Sequence, residues 1–273
     1  MMQSKPIRKL SKTLIFLFIT FRSFAHESTL FLFNYQETDG ASRDPQWIKI
    51  VKDKYERKIE GIDCIYYPAK NPKKLIIYFS YFGDKYMMWK WFWRDTEDWE
   101  DTSYLFLKDD LGTWYCGTYA IPLVDNYLNL IRHFIRDTGV AKEHIFTVGV
   151  SMGGYAAILY ATLLELRGAI ADNPQFDRET WQQHTKMIDP AVNWQDIQEI
   201  LNQSKKVPII SLNFSAYILD YLNAYNYIET LKTKKTVLLV RNNFRTIHDA
   251  SSMTKSFVEK EINYMDTLEL LNS

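Results

Sequence analysis

From about residue 60 onward, short apolar runs alternate with stretches whose apolar residues recur at helical spacing. Residues 61–67 read as a strand, and 74–80 form a nearly continuous apolar run, as expected of a strand covered on both faces. A further strand is predicted at 103–107. Leu123, Tyr127, Leu130, Ile131, Phe134 and Ile135 then share one helical face and predict a helix over 123–138. The pattern continues with a strand at 145–150, a helix at 152–166 and a strand at 168–171. A polar, helical insertion occupies 178–205. It is followed by a strand at 207–213, a helix at 219–232, a strand at 236–240 and a last helix at 250–261. Strands alternating with helices predict an α/β protein with a mainly parallel central sheet flanked by helices. In such sheets a ligand site lies beyond the carboxyl ends of the strands.

Composition narrows the function classes. The 273 residues are 47% hydrophobic, enough for one large domain with an added segment. We divide the chain into an N-terminal segment, 1–55, and a domain, 56–273. Thirty-three basic residues balance 33 acidic ones, so the footprint of a nucleic-acid partner is missing. Cys64 and Cys116 fit neither a metal-ligand spacing nor a disulfide scaffold and read as buried thiols; no metal site is expected. Lys5, Arg8, Lys9 and Lys12 precede the apolar run 14–19, and Ser23-Phe24-Ala25 has the outline of a cleavage site. The run is too short to span a bilayer, and Arg22 stands between it and the cleavage-site outline. A cytoplasmic protein whose N-terminal segment docks on the body or touches a membrane surface is favoured over export.

The chemistry gathers around Gly149-Val150-Ser151-Met152-Gly153-Gly154, which joins a predicted strand to a predicted helix. A serine in G-x-S-x-G at such a junction sits on a sharp turn that projects its hydroxyl above the sheet. A serine hydroxyl needs a base within hydrogen-bond reach. Of the five histidines, His248 alone follows the final strand, where the chain order Ser, acid, His puts the base; His184, in the insertion, is the reserve. The acid has two candidates: Asp220, beyond the strand at 207–213, is favoured over Asp172, beyond the strand at 168–171. A serine–histidine dyad stays open. The oxyanion hole needs two backbone donors, assigned to Met152 and to Tyr81 or Phe82, with Gly83 freeing the turn. Trp89, Phe92 and Trp93 read as core, while Tyr81 and Tyr86 are expected to face the substrate.

From about 60 to 262 the chain resembles the α/β-hydrolase superfamily. More narrowly, it resembles the hydrolase-fold proteins of bacterial capsular polysaccharide biosynthesis, including capsule O-acetyltransferases. The residues carrying the narrower likeness are Gly112-Thr113-Trp114-Tyr115 before a helix bearing Asp125-Asn126-Tyr127, the elbow around Ser151, His248-Asp249, and Ala171-Asp172-Asn173-Pro174-Gln175. The resemblance implies Ser151 as the acylated nucleophile and His248 as its base. It departs at the acid, since such proteins place an Asp soon after the seventh strand, where this chain has Tyr217 or Ile218. It further implies acetyl-CoA as acyl donor, without a tightly bound cofactor, and a polysaccharide hydroxyl as acceptor. A generic serine esterase and an inactive hydrolase-fold partner in a capsule assembly complex are the alternatives.

Overall fold

The computed structural model describes residues 45–83, 86, 100–185, 188–231, 237–248 and 253–268. The chain divides into two compact units, 1–36 and 37–273, and the described residues all belong to the second. The apolar run at 14–19 and Trp89, Phe92 and Trp93 lie outside the described residues. Among those described, no helix is long and apolar enough to cross a membrane.

An eight-stranded sheet organises this unit. Its strands are β1 (Glu56–Ile59), β2 (Ile62–Tyr67), β3 (Lys74–Phe79), β4 (Thr102–Leu107), β5 (Ile145–Val150), β6 (Gly168–Asp172), β7 (Ile209–Phe214) and β8 (Leu238–Asn242). Their spatial order is β1-β2-β4-β3-β5-β6-β7-β8. The β1–β2 and β2–β4 pairs are antiparallel, and the pairs from β4 through β8 are parallel. The α/β reading with a mainly parallel sheet therefore holds.

Side-chain alternation along each strand feeds two cores. In β3, Leu75, Ile77 and Phe79 enter the larger cluster while Ile76 and Tyr78 enter the smaller one, the two-residue period of a strand covered on both faces. The larger cluster is closed by α2 (Val124–Thr138), α3 (Met152–Leu164), α5 (Ile197–Gln203) and α6 (Ile218–Leu231), with Trp181 contributed by α4 (Arg178–Thr185). The smaller is closed by α1 (Pro45–Tyr55) and α7 (Lys255–Thr267).

Three boundaries differ from the sequence reading. Val51 of α1 is buried against the sheet, so residues assigned to an N-terminal segment belong to the body of the second unit. β1 had no apolar signature to announce it: Glu-Arg-Lys-Ile pairs with β2 across Glu60 and Gly61, both at positive φ, which suits a two-residue hairpin turn. The last helix runs over Lys255–Thr267 rather than 250–261, because the Thr254 hydroxyl accepts the Phe257 N–H at 3.2 Å and caps the helix there.

Both cysteines are free and buried, and burial pushes each thiol up to about 12. The thiolate fraction at pH 8 is then on the order of 10⁻⁴. Native protein should consume no Ellman's reagent in the time that denaturant-unfolded protein consumes two equivalents, one for each of its two cysteines. Rapid uptake by the native protein would contradict this packing of the two thiols.

Candidate active site

Ser151 joins the end of β5 to the start of α3 at φ 55°, ψ −120°, a conformation seldom adopted by a residue with a side chain. Its backbone is held on two sides. The Ser151 N–H donates to the Asp172 carbonyl at 2.8 Å, and the Ser151 carbonyl accepts the Tyr155 N–H at 3.1 Å. The turn can form only because strand and helix cross closely. A Cβ on Gly149 would lie 2.0 Å from the Gly153 carbonyl oxygen, and one on Gly153 would lie 2.1 Å from the Phe79 carbonyl oxygen.

His248 arrives from the loop after β8 and bridges the serine to a carboxylate. Its Nε2 lies 2.8 Å from Ser151 Oγ and its Nδ1 lies 2.7 Å from Asp220 Oδ1. The His248 side chain is 4% exposed and that of Asp220 0%, so little water competes for these bonds. With the proton on Nδ1, donated to Asp220, Nε2 is free to accept the serine proton. The second Asp220 oxygen accepts the Ser215 hydroxyl at 2.5 Å.

The structure thus brings together Ser151, His248 and Asp220. Asp220 stands in the first turn of α6, and a helix advances only about 1.5 Å per residue, so its lateness in sequence becomes a short reach in space. Asp172 does not join His248. It is fully buried, and its carboxylate accepts the Asn213 amide at 2.7 Å. Its neighbour Asn173, at φ 45°, accepts the Ser215 N–H at 2.7 Å. The Asp172–Asn173 corner therefore braces the strand and loop that carry Asp220. Of His184 the backbone alone is described, within α4.

Met152 opens α3, so its N–H is among those with no intrahelical carbonyl to meet. The loop following β3 abuts this helix start, since a Cβ on Gly153 would also lie 2.8 Å from the Ser80 carbonyl oxygen. Tyr115 ties that loop down by donating its hydroxyl to the Ser80 carbonyl at 2.9 Å. Tyr81 is half-buried, and the exposed Phe82 rests its ring 6.1 Å from that of Trp114. The expectation for Tyr86 is corrected. It is 1% exposed, lies in the smaller core, and donates its hydroxyl to Glu56 at 2.9 Å. Burial first, and the Glu56 carboxylate second, hold its phenol protonated, so no surface of it is left for a substrate.

Sequence reasoning passed over several residues that the fold gathers here. Ser215 steadies the acid. Trp181, from the insertion, sets its ring 5.1 Å from the His248 imidazole in an edge-to-face contact. Gln175 donates its backbone N–H to the Ser151 carbonyl at 3.4 Å and accepts the Trp114 indole N–H at 3.0 Å. Trp114 and Gln175 stood in two quoted segments, but nothing local shows that they meet. Among the described residues no group of acidic, histidine and cysteine side chains could hold a metal ion.

No protein-family model matches the chain, and no curated protein sequence does. Solved structures do. The capsule O-acetyltransferase of Neisseria meningitidis serogroup A superposes with a TM-score of 0.60 at 19% identity, over 76% of this chain and 93% of that one. A histidine-to-alanine variant of that protein, solved in complex with CoA, matches equally well, with a TM-score of 0.60 at 17% identity over 76% and 94% of the two chains. The fluorophosphonate-binding serine hydrolase FphF of Staphylococcus aureus matches with a TM-score of 0.59 at 15% identity, over 75% and 92% of the two chains. The chain has the α/β-hydrolase fold and resembles capsule O-acetyltransferase in structure.

The two aspartates can be separated by experiment. Asp220→Asn should slow acylation of Ser151 by about 10⁴-fold, through loss of the carboxylate that holds the His248 tautomer. Asp172→Asn should slow it less than about tenfold while lowering stability by ~1–3 kcal/mol, through its bond to Asn213. Stopped-flow acylation with p-nitrophenyl acetate, beside urea denaturation of each variant, reads both effects. The reverse ranking would reassign the acid.

Proposed function

We propose that the protein is a serine-dependent acyltransferase that O-acetylates sugar hydroxyls in the biosynthesis of a surface polysaccharide. The observation that carries this reading is the continuous chain from Ser151 Oγ through His248 to the buried Asp220 carboxylate. The likeness to a capsule O-acetyltransferase along most of that protein's length supports the choice of acceptor.

In the first half-reaction His248 Nε2 takes the Ser151 proton as Oγ attacks the acyl carbonyl. The Met152 N–H and a backbone N–H of Tyr81 or Phe82 receive the developing oxyanion. With acetyl-CoA as donor, the carbon–sulfur bond breaks and the leaving thiolate takes the proton from His248. In the second half a sugar hydroxyl gives its proton to His248 and attacks the acetyl-serine. The new ester departs, and Ser151 Oγ recovers its proton. Acetyl-CoA is here a substrate, and the histidine-to-alanine variant of the structural neighbour was solved with CoA. Attack by water in the second half would make the protein an esterase, so transfer requires the acceptor to occupy the site first. At 5% exposure, Ser151 offers little room to bulk water. Acetyl-CoA as donor also fits a reaction on the cytoplasmic side of the membrane.

Incubation with a fluorophosphonate probe, read by intact mass, tests the chemistry. The native protein should gain one adduct, and Ser151→Ala and His248→Ala should gain none. Absence of an adduct on folded native protein would remove the serine-enzyme reading and favour a non-catalytic partner role.

A further inference from the structure

Ser215 is the first residue past β7, and its two chain neighbours hold the loop that carries the histidine. The Phe214 carbonyl accepts the Asn243 N–H at 2.9 Å, and the Ala216 N–H donates to the Arg245 carbonyl at 2.5 Å. These bonds dock the stretch leading to His248 against the end of β7. The Ser215 side chain reaches the acid instead, donating its hydroxyl to Asp220 Oδ2 at 2.5 Å. One residue therefore joins the mounting of the histidine to the mounting of its carboxylate.

The direction of the hydroxyl proton is fixed by the other bonds. Ser215 Oγ accepts the Tyr217 N–H at 3.1 Å, and the Ser215 N–H is taken by Asn173 Oδ1 at 2.7 Å. The residue is fully buried, and the one proton its hydroxyl can give goes to Asp220. Asp220 is thus held at both oxygens, Oδ1 facing His248 Nδ1 at 2.7 Å and Oδ2 facing Ser215. The second anchor matters because the last torsion of an aspartate is broad and has no sharp staggered well. A carboxylate held at one oxygen can turn. Held at both, it keeps Oδ1 in line with the imidazole.

We infer that Ser215 is a positioning residue of the site, whose hydroxyl sets the rotation of the Asp220 carboxylate and thereby the aim of the His248 ring at Ser151. It touches no substrate and acts only through Asp220. The inference rests on the reading of Ser151 as an acylated nucleophile and adds a fourth side chain to its alignment.

Ser211, four residues earlier within β7, supplies a matched control. Its buried hydroxyl also donates to a buried carboxylate, Glu261 Oε2 at 2.7 Å, but that bond joins β7 to α7 and leaves the triad aside. Ser215→Ala and Ser211→Ala should lower the urea midpoint to a similar degree, since each leaves one buried carboxylate oxygen unpaired. The rate of fluorophosphonate labelling, followed by intact mass, should separate them. Ser215→Ala should label on the order of 30-fold more slowly than native protein, and Ser211→Ala less than about threefold more slowly. In an Asp220→Ala background, where there is no carboxylate to turn, adding Ser215→Ala should change the rate less than about threefold. A merely structural role would carry its full effect into that background. Ser215→Cys, a weaker donor of similar shape, replaces Ser215→Ala if the latter does not fold, and Asp220→Asn replaces Asp220→Ala likewise. Equal labelling by the two serine variants, or an undiminished effect without the carboxylate, overturns the inference while Ser151 remains a nucleophile. No adduct on native protein removes the serine-enzyme reading itself, and the inference falls with it.

Discussion

The close crossing of β5, α3 and the end of β3 is the constraint on which the rest of the site depends. Gly149 and Gly153 allow backbones to approach where a single methyl group would collide at 2.0 to 2.1 Å. That approach turns the chain sharply enough to hold Ser151 at positive φ, with its hydroxyl directed to His248 at 2.8 Å. It also sets the start of α3 against the loop after β3. A wider crossing would relax the serine, whatever the remaining residues did.

A second layer of polar contacts keeps the carboxylate in line. The Asp172 carbonyl fixes Ser151 from behind, the Asp172 carboxylate holds Asn213, and Asn173 holds Ser215, whose hydroxyl reaches Asp220. These bonds link the ends of β6 and β7 to the first turn of α6. Asp220 is therefore positioned by neighbouring parallel strands rather than by its own loop alone. Buried polar networks of this kind are costly when incomplete and rigid when satisfied. The same corner leads through Gln175 to Trp114, so Ser151, Asp220 and the insertion share one framework.

Much of this was legible in the sequence, for identifiable reasons. The serine turn needs small residues at fixed offsets between a strand and a helix, and those offsets are local. His248 followed from chain order. Asp220 looked late because residue count overstates distance once the first turn of α6 begins directly after the loop. Other features had no local signature. The polar strand β1 is specified by pairing across a turn, and the start of α7, though not its existence, is set by the Thr254 cap. Tyr86 resembles any aromatic near a site until Glu56 is found to take its hydroxyl. The bond between Trp114 and Gln175 spans 61 residues of chain and shows itself only when folded.

The central claim is that Ser151, aligned by His248 and Asp220, carries an acyl group during turnover. Its most direct test is rapid acid quenching of the native protein with p-nitrophenyl acetate, followed by peptide mass mapping. The account predicts a burst of about one p-nitrophenol per protein, with one acetyl group on the peptide containing Ser151. Turnover without an acetylated peptide, or acetylation at another residue, would contradict it.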